Sequence, residues 1–436
     1  MCHEKSCCFY IFFLMLKKVT ILFYLLVFLT TFIVAQENNI VYVKVKGLKK
    51  TKTSVIENFL LTKEGSVLDS IVLKDDVKRL KKLPAISHAY YQVFKASKNT
   101  YNIFFQIEEN KTLIPVVNFW TTTNKQFAYK IGLYDHNFLG RNMTFGGFYQ
   151  NNEYNSYGIN FRAPYLFSNK FGLAVNHTNW ISEEPLYFDN GSANYKYQNI
   201  SFETMLMYEL NFKNHLEFGL NFFKEKYNYK NGIRSATIPQ ELNINKFLIK
   251  AVYLYDNLDY FYQYISGFKN ELYVQMVIPK SNSQNDFFIA WNDFFYFKRI
   301  GEKGNWANRL RVGLSTNTKS PFAPFALDNN VNLRGVGILV DRGTGSIVYN
   351  SEYRHTILEK GSFVIQSNLF IDAGTWRNPG GSLSDFTKKK YMKLFSGIGL
   401  RIINKKIFNA IFRIDYGYEL TNGKGKGLVF GIGQYF

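Results

Sequence analysis

The chain has 436 residues, 18% of them aromatic and 20% charged, with only 9 Pro and a formal net charge of +20. That balance is foreign to a soluble enzyme and suits a membrane barrel with aromatic belts, an architecture that exceeds the usual domain length. The basic excess invites nucleic acid or anionic membranes as partners. Lys and Asn recur along the whole chain, however, and no basic stripe accompanies a nucleic-acid fold, so lipid head groups are expected and nucleic acid is not.

Lys17 and Lys18 precede an apolar run from Val19 to Val34 that closes on Ala35 and Gln36. A charged start, an apolar stretch and a small residue at the exit read as a secretory signal over 1–36. All three cysteines, Cys2, Cys7 and Cys8, lie within it. The mature chain would then lack Cys, which excludes disulfides, thiolate metal sites and Cys nucleophiles.

Residues 39–110 carry a compact α+β pattern. Val41, Val43 and Val45 alternate with polar neighbours up to Gly47, as a strand does. Val55, Ile56, Phe59 and Leu60 then have helical spacing behind the capping candidates Thr51 and Thr53. Leu73, Val77 and Leu80 mark a second helix that Pro84 stops, and two strands follow over 85–94 and 101–108.

From residue 111 the sequence predicts about sixteen antiparallel strands and no helix longer than a turn. Eleven fall at 114–121, 126–135, 143–152, 154–163, 171–181, 197–210, 215–227, 246–256, 267–278, 286–298 and 306–315. Five more fall at 346–357, 362–373, 391–402, 409–420 and 426–436. Between the two groups lies the longest connection, rich in Gly. An even strand number returns the chain to the side from which it entered, and the connection after an odd strand lies on the far side.

The strands after this loop carry charge on one face. Asn350, Glu352 and Arg354 share a face, as do Gln366, Asn368, Phe370 and Asp372, and alternation also turns Arg401, Arg413 and Asp415 inward. A dry core strand would not carry Glu and Arg; a wall between a wet lumen and lipid would. In the last strand Leu428, Phe430, Ile432, Gln434 and Phe436 form one face, and Gly427, Gly431 and Gly433 fall on the other.

Leu333-Arg334-Gly335-Val336 in the loop and Phe370-x-Asp372-x-Gly374 on the following wall resemble the paired motifs of the BamA/TamA-like outer-membrane superfamily. Val336 stands where that family has an aromatic. The resemblance implies a periplasmic POTRA domain at 39–110, which has the POTRA order of elements, and a 16-stranded outer-membrane barrel at 111–436. It also implies that Arg334 and Gly335 fold back into the lumen to Asp372 and Gly374, within a charge network of Glu352, Arg354, Arg401, Arg413 and Asp415. Phe430 and the terminal Phe436 resemble the sorting signal of such barrels.

Catalytic chemistry is not expected. The six His are scattered singly, without metal-ligand spacing. Gly423 to Gly427 lacks the setting of a phosphate loop, and Glu183 and Glu184 sit in loop sequence. No cofactor or metal is implied. The leading expectation is a biogenesis or translocation factor that takes unfolded outer-membrane or secreted clients, with periplasmic chaperones or accessory lipoproteins as further partners. Pro115 in the first barrel strand and the glycines of the last either weaken ladder pairing at its seam or allow close packing against the loop. A two-partner-secretion transporter for one exoprotein and a passive porin with a docking module are the alternatives.

Overall fold

The computed structural model describes residues 38–121, 127–188, 191–280, 285–317, 323–327, 332–336, 341–421 and 425–436. The expected leader, its three cysteines and the Gly423-Lys424 turn lie outside the described residues.

The first unit is strand β1 (Asn39–Lys46), helices α1 (Thr53–Phe59) and α2 (Ser70–Lys81), and strands β2 (Ile86–Ser97) and β3 (Thr100–Glu109). Its sheet runs β1-β3-β2, with β1 parallel and β2 antiparallel to the central strand. Ile56, Phe59, Leu73 and Leu80 from the helices bury against Ile103, Phe105 and Ile107. One face of the sheet is thereby covered, and among the described residues β2 keeps an unpaired outer edge.

Neither threonine expected to cap α1 does so. Lys52 is the N-cap and its side chain makes no capping bond, because Thr51 is used elsewhere. Its N–H and that of Lys50 donate to Glu109 at 2.9 and 2.8 Å, and its hydroxyl accepts from Asn137 at 2.9 Å. Burial acts to raise the Glu109 carboxyl, but these donors and the Thr51 hydroxyl outweigh it and hold the group below the ordinary carboxylate range.

The remainder is one antiparallel sheet of sixteen strands. It begins with β4 (Leu113–Thr121), β5 (Phe127–Phe138), β6 (Met143–Asn151), β7 (Asn155–Ala163), β8 (Phe171–Phe188) and β9 (Gly191–Asn211). Strands β10 (Asn214–Gly232), β11 (Glu241–Phe261), β12 (Tyr264–Pro279), β13 (Phe287–Ile300) and β14 (Gly304–Ser315) follow. A long loop carries the short pair β15 (Phe325–Ala326) and β16 (Arg342–Gly343). The wall resumes with β17 (Gly345–Lys360), β18 (Phe363–Arg377), β19 (Met392–Asn404), β20 (Ile411–Glu419) and β21 (Lys426–Ile432). The division into eleven strands, a loop and five strands matches the pattern of alternation. The sheet curls into a nearly closed barrel, and among the described residues no ladder joins β21 to β4.

Strands β8 to β11 are longer than their alternation suggests, at 18 to 21 residues. Glu183 and Glu184 belong to β8, opposite Lys196 and Tyr195 of β9, and not to a loop. Tyr195, Tyr227, Leu186 and Ile238 give this extension a small apolar core of its own. It leans toward the long loop, where Glu184 pairs with Arg342 at 2.6 Å.

The first unit docks on the opposite, proximal end of the barrel. Lys50 reaches Asp135 at 2.7 Å, and the Lys52 N–H donates to the Gly140 carbonyl at 2.9 Å. From the end of α2 and the residue after it, Arg79 pairs with Glu209, Lys81 with Asp259 and Lys82 with Asp256, the last at 3.1 Å. His88 stacks on Tyr262, with ring centres 4.7 Å apart.

Candidate functional site

The long loop descends into the barrel and places Arg334 and Leu333 out of solvent altogether. Leu333 fills an apolar niche of Leu327, Val348, Trp376 and Phe395, against which Val336 packs. That contact is where Val336 finds its place without an aromatic ring. Asn332 fixes the approach: its carbonyl accepts from the Asn350 amide at 2.8 Å, and its amide donates to the Ala326 carbonyl at 2.6 Å.

Arg334 engages Asp372 with both its fork and its backbone. Nε donates to one carboxylate oxygen at 2.8 Å, Nη2 to the other at 2.9 Å, and the backbone N–H to the first at 3.0 Å. The planar fork matches a carboxylate in a way that lysine cannot. Asn350, opposite Asp372 in the ladder, also donates to it at 2.8 Å. The remaining guanidinium nitrogen pairs with Glu352 and lies 3.9 Å from Asp415.

The wall charges named from alternation converge on this point. Arg354 pairs with Glu352; Arg401 lies 3.4 Å from Glu352 and 2.7 Å from Asp415; Arg413 lies 3.3 Å from Asp415. All are buried. Positive and negative groups alternate, so each buried charge has a partner of opposite sign, the condition under which burial is tolerated.

Two features of the site escape sequence patterning. The first is a furrow. Strand register aligns Glu352, Phe370, Gly397, Gly417 and Gly427 in one row across five strands. Gly417 and Gly427 leave room in which the loop backbone at Arg334 and Gly335 lies, while the Phe370 ring takes the space over Gly397. A Cβ on Gly335, whose φ is +96°, would stand 2.7 Å from the Gly417 carbonyl oxygen. A Cβ on Gly374 would stand 3.1 Å from Leu333, which gives the glycine of the wall motif its reason.

The second is an aromatic sandwich. The Arg334 guanidinium lies 3.7 Å from the Phe370 ring centre and 4.3 Å from that of Tyr435. Tyr435 can reach it because β21 stops at Ile432, short of the expected 426–436. Gly433 has φ +88°, its N–H donates to the Ile411 carbonyl at 2.8 Å, and the tail turns inward. Phe430 keeps the outward face, 54% exposed. Phe436 does not share that face as alternation predicts: it packs inside on Leu258, Phe297 and Ala307. Arg309 and Arg311 also extend the network, Arg311 pairing with Asp293 at 2.7 Å. The period-two spacing of Arg309 and Arg311 was the signal that marks them as inward.

A nearly closed antiparallel barrel that takes one of its loops into the lumen and seats an arginine there is a transmembrane β-barrel of a particular kind. The Omp85 superfamily domain matches residues 137–436, and the chain belongs to that superfamily, whose barrels are outer-membrane proteins. In fold it is similar to BamA from Haemophilus ducreyi lacking POTRA domains 1-3. The TM-score is 0.53 at 16% identity, over 90% of this chain and 83% of that one. It is also similar to CdiB from Acinetobacter baumannii, with TM-score 0.55 at 11% identity, over 92% of this chain and 74% of that one. CdiB from Escherichia coli gives 0.59 at 8% identity, over 91% and 74% of the two chains.

Proposed function

We propose that the chain is an outer-membrane biogenesis or translocation factor that inserts or exports protein clients. The observation that carries this reading is the sheet whose terminal strands, β4 and β21, share no ladder among the described residues. Two unpaired edges facing each other in a membrane wall offer backbone donors and acceptors to an incoming strand. Residues 39–110 then act as a POTRA domain on the periplasmic side, where the free edge of β2 collects an extended client by strand addition. Residues 111–436 form the barrel, with periplasmic chaperones or accessory lipoproteins delivering the client and lipid head groups at the rim. Arg334, Gly335, Asp372 and Gly374 anchor the loop, the surrounding charges hold it, and Phe430 with Phe436 serves the barrel's own assembly.

Arg334 of the loop, Tyr435 and Phe436 lie inside the barrel, which weighs against a passive porin, and Arg342 with Glu184 draws the distal extension toward the loop. Placing photo-reactive residues at Gln92 and Lys95 on β2, and at Val117 on β4, in living cells and identifying the trapped chains tests the reading. Unfolded outer-membrane or secreted proteins are expected at both places. Labelling of lipid and accessory proteins alone, with no client at either place, would refute it.

A further inference from the structure

The tail beyond β21 does more than end the chain's last ladder. Tyr435 is 6% exposed, and its ring covers the face of Arg334 that Phe370 leaves open while also lying 4.8 Å from the Arg413 guanidinium. One residue later, Phe436 reaches the wall formed by β11, β13 and β14, where it meets Leu258, Phe297 and Ala307. Its carbonyl accepts from Arg354 at 3.3 Å, and its ring lies 5.8 Å from both Arg354 and Arg309. The segment therefore runs from the last strand to the inner wall around Arg354 and Arg309, beside the seated loop.

We propose that Gly433–Phe436 is a lumenal bolt in which Tyr435 positions the loop arginine, so that release of the loop and the course of the last strand are coupled. If β21 instead ran straight past Ile432, Gly433 would face Ile411, where β20 begins. Tyr435 would then be carried beyond the end of its neighbour toward the proximal rim, leaving one face of Arg334 bare. A desolvated guanidinium gains from an aromatic face through the ring quadrupole, and phenylalanine supplies the same face as tyrosine. Tyr435 is thus a positioning residue acting through Arg334. This inference concerns the loop's anchor and stands whether or not the protein handles clients.

The test uses the full chain reconstituted in lipid vesicles. The rate at which a protease cuts within loop residues 316–344 is compared for wild type, Tyr435→Phe and Tyr435→Leu, together with conductance in planar bilayers. Cleavage is expected to rise on the order of tenfold in Tyr435→Leu, with larger or more frequent openings, and to stay near wild type in Tyr435→Phe. Equal behaviour of Phe and Leu, fast or slow, would overturn the proposal, because the ring would then not be the ingredient. Should Tyr435→Leu fail to fold, p-benzoylphenylalanine at position 435 keeps an aromatic ring. It is expected to crosslink within the same chain to the peptide bearing Leu333–Val336 or Phe370. Crosslinks to lipid only, or none, would overturn the proposal as well.

Discussion

Arg334 holds Asp372 through three hydrogen bonds, one of them from its own backbone N–H. The ion pair therefore fixes the path of the loop and not merely the position of a side chain. Both groups are out of solvent, so removing one partner strands the other's charge. Arg334→Ala and Asp372→Ala are each expected to destabilise the folded barrel by about 3 to 5 kcal/mol, with the double variant little worse than either single. Denaturation of the purified barrel, followed by heat-modifiable mobility, measures this. Arg334→Lys should recover only part of the loss, since it keeps charge without the fork.

The glycine furrow makes a sharper prediction. An alanine at Gly417 puts its Cβ against the Arg334 carbonyl group and the Gly335 backbone, whereas one at Gly427 makes only ordinary contact with Gly335, at 3.7 Å. Gly417→Ala is therefore expected to cost about 1 to 3 kcal/mol by overpacking and to speed loop proteolysis, and Gly427→Ala to be tolerated. The two variants assayed side by side for protease sensitivity decide it.

Docking of the first unit rests on opposite charges. Lys81→Glu with Lys82→Glu should loosen it, at on the order of 1 kcal/mol for each part-exposed pair, and Asp256→Lys with Asp259→Lys in the same chain should restore it. Distance distributions between spin labels on α2 and on the proximal turns report the change. A docked unit in the doubly reversed lysine variant would show that these pairs carry no weight.

Acid should loosen the same contact. His88 lies on Tyr262 and edge-on to Phe261, with Glu108, Asp259 and Lys81 around it. Burial, helped by Lys81 and opposed by Glu108 and Asp259, lowers its value below that of a free imidazole. An undocked His88 thus binds its proton more readily than the docked one. Docking is fully supported above about pH 6.5 and weakens as pH falls below it, until the lowered value is passed. Spin-label distances measured from pH 7.5 to 5.5 should broaden in wild type and change less in His88→Gln.

Alternation alone marked the wall charges, because one face of each strand meets water and the other lipid, and the Arg-Gly and Asp-x-Gly spacing pointed to the pair that joins loop to wall. What alternation cannot convey is register between strands. Gly397, Gly417 and Gly427 lie in three separate strands, and only the ladder puts them in line. The tail was misplaced for a related reason. A run of alternating residues reads as strand to its end, and the left-handed turn at Gly433 is a single torsion with no period to announce it. Strand β8 is longer than expected because Glu183 and Glu184 read as loop sequence, although they pair with Lys196 and Tyr195 of β9.

The most direct test of the account concerns the two unpaired edges. Cysteines placed at Ile114–Val117 of β4 and at Leu428–Phe430 of β21, with Cys2, Cys7 and Cys8 replaced by Ser, allow the seam to be locked by oxidation and freed by reductant. The account predicts that locked protein assembles normally but stops supporting the appearance of its clients at the outer membrane, and that reductant restores it. Undiminished client assembly or export with the seam fully crosslinked would contradict it.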